Sequence, residues 1–270
     1  MTDHLPSQEA PADTPVVILC GEAGTRLHEE TENIPKPMIR IGGKPLLWHL
    51  MQYYASYGFT RFILCLGYKA EVIKDYILQL RYLSSSFTVG PGEEPKVDDG
   101  DAGVMADWVI SCVDTGDAAM TGARVKRIQP YVGERRFMLT YGDGVSDVNL
   151  LDLLAFHQSS NALVTVTGVH PPSRFGLLTL NATRVQRFAE NPQAQHDYIN
   201  GGFMVCETGL FDYLEDDDSC TLEGAPLERV ALDGRLQAFL HDSYWQCMDT
   251  MRDRELLENA WSAGAPWKRW

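Results

Sequence analysis

Apolar residues recur along this chain with two periods, and the two alternate. Val16–Cys20 is a short unbroken apolar run of strand length. Pro45–Tyr57 then sets Leu46, Leu47, Leu50, Tyr53, Tyr54 and Tyr57 at helical spacing, and Gly58 stops it. Arg61–Leu66 reads as a second strand and Ala70–Tyr82 as a second helix. The pattern continues with a strand at Trp108–Val113, a helix at Gly122–Tyr131, a strand at Phe137–Tyr141, a helix at Asn149–Gln158 and a strand at Ala162–Val169. Leu177–Leu180, Val185–Ala189 and Gly202–Val205 read as strands of a more antiparallel region. Leu236–His241 is a late strand and Arg252–Trp261 the last long helix. Strands alternating with helices predict an α/β fold, a mostly parallel sheet flanked by helices on both faces.

Residues 84–105 interrupt the alternation. They are rich in Ser, Gly, Pro, Asp and Glu, hold little that could build a core, and are expected to form a long loop or insertion, a lid or an inter-subunit arm. Residues 1–14 are expected to be a disordered tail, leaving one domain over 15–270. A hydrophobic content of 44% is ordinary for a globular chain of this length. The net charge of −14 argues against a broad nucleic-acid surface, although a nucleotide needs only a local basic cluster. No apolar run reaches the roughly 18 residues of a membrane span. The six cysteines form no CxxC pair, which argues against zinc. Cys20, Cys65, Cys112 and Cys206 sit in strand-like runs and are expected as buried, reduced thiols, which suits a cytoplasmic protein.

In an open parallel sheet, ligands bind beyond the carboxyl ends of the strands. Three such places hold chemistry. The first is Gly21-Glu22-Ala23-Gly24-Thr25-Arg26, followed by Pro35-Lys36-Pro37-Met38. It lacks the GxGxxG spacing of a dinucleotide loop and the Gly-Lys-Ser/Thr of a Walker A loop. It does offer glycine backbone near a ligand, a guanidinium fork at Arg26, and a lysine between two prolines that restrict its backbone. The second is Tyr141-Gly142-Asp143-Gly144. An acid between glycines at a strand end suits magnesium, which takes one or two carboxylates plus phosphate oxygens, and equally suits a tight turn. The third is Trp245-Gln246-Cys247-Met248-Asp249-Thr250, where Asp249 is either a metal ligand or the N-cap of the last helix.

With these segments the chain resembles the bacterial glucose-1-phosphate cytidylyltransferases, within the sugar-nucleotidyltransferase family. The likeness runs in order from Val16 to Trp270. It includes Gly24-Thr25-Arg26-Leu27, Pro35-Lys36-Pro37-Met38, Ile41-Gly42-Gly43-Lys44-Pro45, Val113-Asp114-Thr115-Gly116-Asp117, Met120-Thr121-Gly122, Arg174-Phe175-Gly176, Ile199-Asn200-Gly201-Gly202-Phe203 and Met248-Asp249-Thr250. The resemblance implies a Rossmann-like mixed sheet with a smaller antiparallel, acceptor-binding region. It implies magnesium-dependent joining of CTP to a phosphorylated sugar, with pyrophosphate released, in a homo-oligomer. By the same resemblance Gly21, Glu22, Gly24, Thr25, Arg26 and Thr121 face the nucleotide, and Arg124 reaches either the nucleotide or a neighbouring subunit. Arg26 and Lys36 act on the phosphates, and Asp143 and Asp249 share the metal. Tyr141, Arg174, Glu190, Asn191, Asn200, Gly201 and Trp245 form the acceptor pocket.

Four positions depart from the family pattern. Glu22 stands where the family carries a second glycine, which puts an acid beside a polyanion. Asn191 stands in Glu190-Asn191-Pro192 where the family has a lysine, and supplies no cation. Ala123 replaces a glycine before Arg124, and Cys247 a proline before Met248; both changes are mild. Two changes at contact positions on an otherwise intact scaffold fit a retuned substrate choice better than random decay. The alternative is a catalytically weak or inactive nucleotide-binding homologue with a regulatory or partner role.

Overall fold

The structure is a computed structural model and describes residues 11–22, 24, 27, 31–83, 85–97, 107–171, 177–181, 184–189 and 198–270. Eight strands form the central sheet: β1 (Val16–Leu19), β2 (Arg61–Leu66), β3 (Val109–Asp114), β4 (Phe137–Tyr141), β5 (Val164–Val169), β6 (Ile199–Asn200), β7 (Met204–Cys206) and β8 (Leu236–His241). β3, β2, β1 and β4 lie side by side and parallel, so their carboxyl ends open at one edge. β7 joins β4 antiparallel, β5 joins β7 antiparallel, β6 pairs antiparallel with the far end of β5, and β8 runs parallel along β5. The parallel order of β3, β2, β1 and β4 is the one expected. Of the strands expected in a more antiparallel region only β7 joins this sheet, while Leu177–Asn181 and Arg184–Ala189 pair antiparallel as a separate two-stranded sheet. β5, expected within the alternating pattern, pairs antiparallel with β6 and β7.

β1 is buried along its whole length, as its unbroken apolar run requires of a strand covered on both faces. Its side chains still alternate. Val16 and Ile18 enter one core with helix α1 (Leu46–Ala55), α2 (Ala70–Leu83), Leu150, Leu153 and Leu154 of α5 (Leu150–Ser159), and Leu257 of α7 (Met251–Ser262). Val17 and Leu19 enter the other, with Val125 of α3 (Thr121–Arg127), Val132 of α4 (Gln129–Val132) and Leu227 and Val230 of α6 (Ala225–Leu232). Asn149 caps α5 by accepting from the backbone of Leu151 and Asp152 at 3.1 and 3.3 Å.

Several expectations need correction. The helix expected over Gly122–Tyr131 breaks at Ile128 into α3 and α4, because Pro130 has no N–H and crowds the carbonyl four residues back. The strand expected from Gly202 starts at Met204, since Gly202 and Phe203 hold φ of +75° and +44°. Helix α6 was not foreseen; it starts on Gly224, with Pro226 in its first turn. Within 84–105, Phe87–Thr88 and Lys96–Val97 pair as a short antiparallel ribbon, while residues 84 and 98–105 lie outside the described residues. Residues 11–13 form a 3₁₀ turn, and residues 1–10 of the expected tail are not described. All six cysteines are free; Cys20, Cys65 and Cys206 are buried as expected, but Cys112 is only half-buried. Among the described residues no helix is long and apolar enough to cross a membrane.

Near the C-terminus, Trp267 is driven into the core against α1. His49 sits among Trp48, Trp261 and Trp267 at 0% exposure. Its Nε2 lies 2.8 Å from the Ile41 carbonyl, and its Nδ1 lies 3.4 Å from Trp267 Nε1. The neutral ring satisfies both, with Nε2–H donating and Nδ1 accepting. Burial lowers its pKa to about 4, with the Ile41 bond offsetting only part. The unfolded chain therefore binds a proton that the fold excludes between pH 6.5 and 4. The fold should keep its full stability above about pH 6.5 and lose about 3 kcal/mol as pH falls through that window. Urea unfolding measured from pH 7 to 4.5 checks this. The His49→Gln variant should show a flatter pH slope than the native chain, whatever its stability at neutral pH.

Candidate functional site

The cleft lies beyond the carboxyl ends of β1 to β4. Beside the end of β1, Lys36–Met38 forms one 3₁₀ turn that starts from Pro35. The turn packs onto the end of β4 because Gly142 has no side chain. A Cβ there would lie 2.6 Å from the Leu19 carbonyl oxygen and 2.9 Å from Pro37 Cγ. Lys36 is thereby sunk until its side chain is 5% exposed, with its ammonium 2.6 Å from Asp143 Oδ2 and 2.7 Å from Asp249 Oδ1. Burial alone works against that charge. The two carboxylates more than compensate and hold the lysine above its ordinary pKa.

The two acids come from distant parts of the chain and are joined by backbone. Gly144–Ser146 pairs antiparallel with Trp245–Cys247, and Met248 N–H donates to the Asp143 carbonyl at 2.8 Å. Asp249 is not the N-cap of α7. Thr250 is, in a reciprocal capping box with Asp253. Asp253 also accepts from the backbone N–H of Asp249 at 3.1 Å, so the cap fixes the backbone that carries the acid while leaving its carboxylate to Lys36. Because one ammonium touches both acids, Asp143 and Asp249 are close enough to share one cation. Two carboxylates suit magnesium, which completes its shell with water and phosphate oxygens. Among the described residues, no group of three or more His, Cys, Asp or Glu could hold a metal.

Beside this cluster is a cleft of about 320 Å³ lined by Gly21, Glu22, Gly24, Lys36, Thr121, Arg124 and Asp249, with the Asp117–Met120 stretch. Arg124 forms its base. The guanidinium donates to the carbonyls of Leu66, Gly116 and Gly21 at 3.0, 2.8 and 3.0 Å, to Asp117 O at 3.4 Å, and to Thr115 Oγ1 at 2.9 Å. It thus ties together the loops after β1, β2 and β3. Gly21 and Gly67 make room for it, since a Cβ would sit 2.1 Å from Arg124 Cζ at the first and 2.4 Å from Nη1 at the second. Burial depresses its pKa. Glu22 is exposed at the cleft surface. Loss of hydration is the main cause that raises its pKa, followed by the charge of Asp143, with Lys36 opposing.

On the other side of Asp143, four of the expected acceptor residues meet in two pairs. Asn200 Nδ2 donates to Tyr141 Oη at 3.0 Å, and Trp245 Nε1 to the Gly201 carbonyl at 2.8 Å. Withdrawal from water and the nearby Glu223 raise the Tyr141 pKa. Glu223, which sequence reasoning missed, accepts from Tyr141 Oη and from Thr121 Oγ1. Its only sequence signal is an acid in the loop before α6. Thr25, Arg26, Arg174, Glu190 and Asn191 lie outside the described residues.

The family model described as nucleotidyl transferase matches residues 15–254. The chain is 44% identical over 256 residues to the glucose-1-phosphate cytidylyltransferase of Salmonella typhimurium, covering 94% of this chain and 98% of that one. It is 40% identical to the probable glucose-1-phosphate cytidylyltransferase of Bacillus subtilis, over 94% and 99% of the two chains. A crystal structure of HddC from Yersinia pseudotuberculosis shares the fold at a TM-score of 0.63 and 24% identity, covering 92% of this chain and 99% of that chain.

Arg124→Lys keeps the charge but cannot reach the same set of acceptors from one compact ammonium. Buried carbonyls left without a donor should lower stability by about 3 kcal/mol. Urea denaturation is the check, and a loss below about 0.5 kcal/mol would remove Arg124 as the tie between the three loops.

Proposed function

The chain belongs to the nucleotidyl transferase family, and from that premise we propose that it is a magnesium-dependent cytidylyltransferase joining CTP to a sugar 1-phosphate or a related phosphorylated acceptor. The observation that carries this reading is Lys36 held between Asp143 and Asp249 at the mouth of the nucleotide-sized cleft. The similarity to cytidylyltransferases along nearly the whole chain supports CTP over other nucleotides.

In this reading an oxygen of the acceptor phosphate attacks the α-phosphorus. The new P–O bond forms as the α–β phosphoanhydride breaks, and pyrophosphate leaves with the bonding electron pair. No protein nucleophile is needed, so the residues act by positioning and by charge. Gly21 and Gly24 bring backbone close to the nucleotide, and Thr25 and Arg26 hold triphosphate oxygens. Lys36 supplies positive charge where the phosphates meet. Asp143 and Asp249 would hold magnesium, which neutralises charge on the phosphates when bound. Thr121 lines the nucleotide wall, and Arg124 acts through the three loops that it ties. Tyr141, Arg174, Glu190, Asn191, Asn200, Gly201 and Trp245 receive the acceptor. Glu22 borders the nucleotide cleft and, with Asn191, marks where substrate choice departs from that of the family at large. A cytoplasmic homo-oligomer completes the proposal.

Incubation with CTP, magnesium and a panel of sugar 1-phosphates should release pyrophosphate, and chelation should stop it. Lys36→Ala should lower turnover about 10²- to 10³-fold. Asp143→Asn and Asp249→Asn should abolish magnesium-dependent turnover without unfolding the chain; a near-native rate in either variant removes that acid from the metal site. Nucleotide binding with no turnover on any acceptor would favour the reading in which the chain binds nucleotide for a regulatory or partner role.

Asn191→Lys restores a cation to the expected acceptor pocket. A hydrogen bond to a charged group contributes about 1.5–3 kcal/mol, or about 10- to 150-fold in affinity. The variant should therefore bind glucose 1-phosphate more tightly, read as a lower KM. An unchanged or higher KM would take residue 191 out of the acceptor pocket.

A further inference from the structure

Glu223 lies between the two halves of the cleft and holds a different wall with each carboxylate oxygen. Oε2 accepts from Thr121 Oγ1 at 2.6 Å, and Thr121 opens α3 directly after the Asp117–Met120 stretch that lines the nucleotide side. Leu222 N–H donates to the same Thr121 oxygen at 2.9 Å, so this loop and the start of α3 are bound at two adjacent points. Oε1 accepts from Tyr141 Oη. Tyr141 closes β4 two residues before Asp143, and its hydroxyl accepts from Asn200 Nδ2 at 3.0 Å. Asn200 Oδ1 in turn accepts from Gly202 N–H at 3.0 Å, in the segment whose Gly201 carbonyl receives Trp245. A continuous line of hydrogen bonds thus runs from the nucleotide wall to the acceptor wall. A carboxylate suits the middle of that line, because its two oxygens accept from two hydroxyls at once, and bonds to a charged acceptor are the strong ones.

We propose that Glu223 is a positioning residue that couples the nucleotide and acceptor sites, so that filling one side orders the other. The proposal rests on the nucleotidyl transfer described above. Its physical basis is that two ligands sharing one rigid connection share the cost of ordering it: the first to bind fixes Thr121, Glu223, Tyr141 and Asn200 together, and the second meets side chains already in place.

The test is a binding cycle. The affinity of the non-reacting α,β-methylene analogue of CTP, with magnesium, is measured by calorimetry alone and with a saturating sugar 1-phosphate. The sugar used is the one giving the fastest pyrophosphate release, starting from glucose 1-phosphate. In the native chain the acceptor should tighten the analogue at least about 5-fold. In Glu223→Ala that ratio should fall below about 2, while the analogue alone binds within about 3-fold of native and the thermal midpoint is kept. Glu223→Gln, with one acceptor oxygen left, should give an intermediate ratio. Adding Tyr141→Phe to Glu223→Ala should change the ratio no further. A native-like ratio in Glu223→Ala, or a native ratio of 1, overturns the coupling. Failure of the native chain to bind the analogue at all would instead overturn the nucleotide-transfer reading.

Discussion

The bond set of Lys36 is the constraint on which the cleft is built. An ammonium at 5% exposure is tolerable only with opposite charge against it, and it has two carboxylates within 2.7 Å. The partners lie 107 and 213 residues further along the chain. Each neighbouring feature brings one of these groups to the others. Gly142 lets the Lys36–Met38 turn lie down on β4. The ribbon of Gly144–Ser146 with Trp245–Cys247 brings the second acid alongside the first. Thr250 caps α7 in its box with Asp253, and the Asp253 oxygen that accepts from the Thr250 N–H accepts from the Asp249 N–H as well.

Arg124 answers a different demand with the same economy of charge. It is 3% exposed, and the bonds of its guanidinium go to carbonyl oxygens and one hydroxyl. Its positive charge is thus spread over peptide dipoles under the nucleotide side of the cleft. A chain of net charge −14 in this way keeps cations under a pocket suited to a polyanion. Glu22 borders the same pocket, where loss of hydration first and the charge of Asp143 second hold its proton more tightly than usual, with Lys36 opposing. Glycine, the family's residue there by resemblance, makes no such demand.

Much of the architecture was legible because it rests on periodicity. β4 and β8 begin and end where the apolar pattern does, and β1, α1 and α7 differ from it by one or two residues at their ends. What was missed depends on single residues or on partners far away. Pro130 split a helix whose apolar spacing runs on, and two left-handed residues delayed β7. In the site, Lys36, Asp143 and Asp249 were legible as residue types after strand ends, and the structure brings them together. Arg124 was also picked out, but not its function as a tie: its partners are main-chain carbonyls, which every residue possesses and which leave no mark in a sequence. Glu223 was hidden for a related reason. Its meaning lies in two hydroxyls, on Thr121 and Tyr141, that only the folded chain sets on either side of it.

The docking of Trp267 and α7 has a consequence in time. Synthesis proceeds from the N-terminus, so β1, Lys36 and Asp143 leave the ribosome well before Asp249 and the tryptophan that buries His49. Until then the lysine has only one of its two carboxylates, α1 has an uncovered apolar flank, and the long-range contacts that close the cleft cannot form. The centre that the whole sheet is arranged to hold is therefore completed only by the residues from Asp249 to Trp267. A nascent chain that had not yet exposed Asp249 would display a finished parallel sheet with an unfinished mouth.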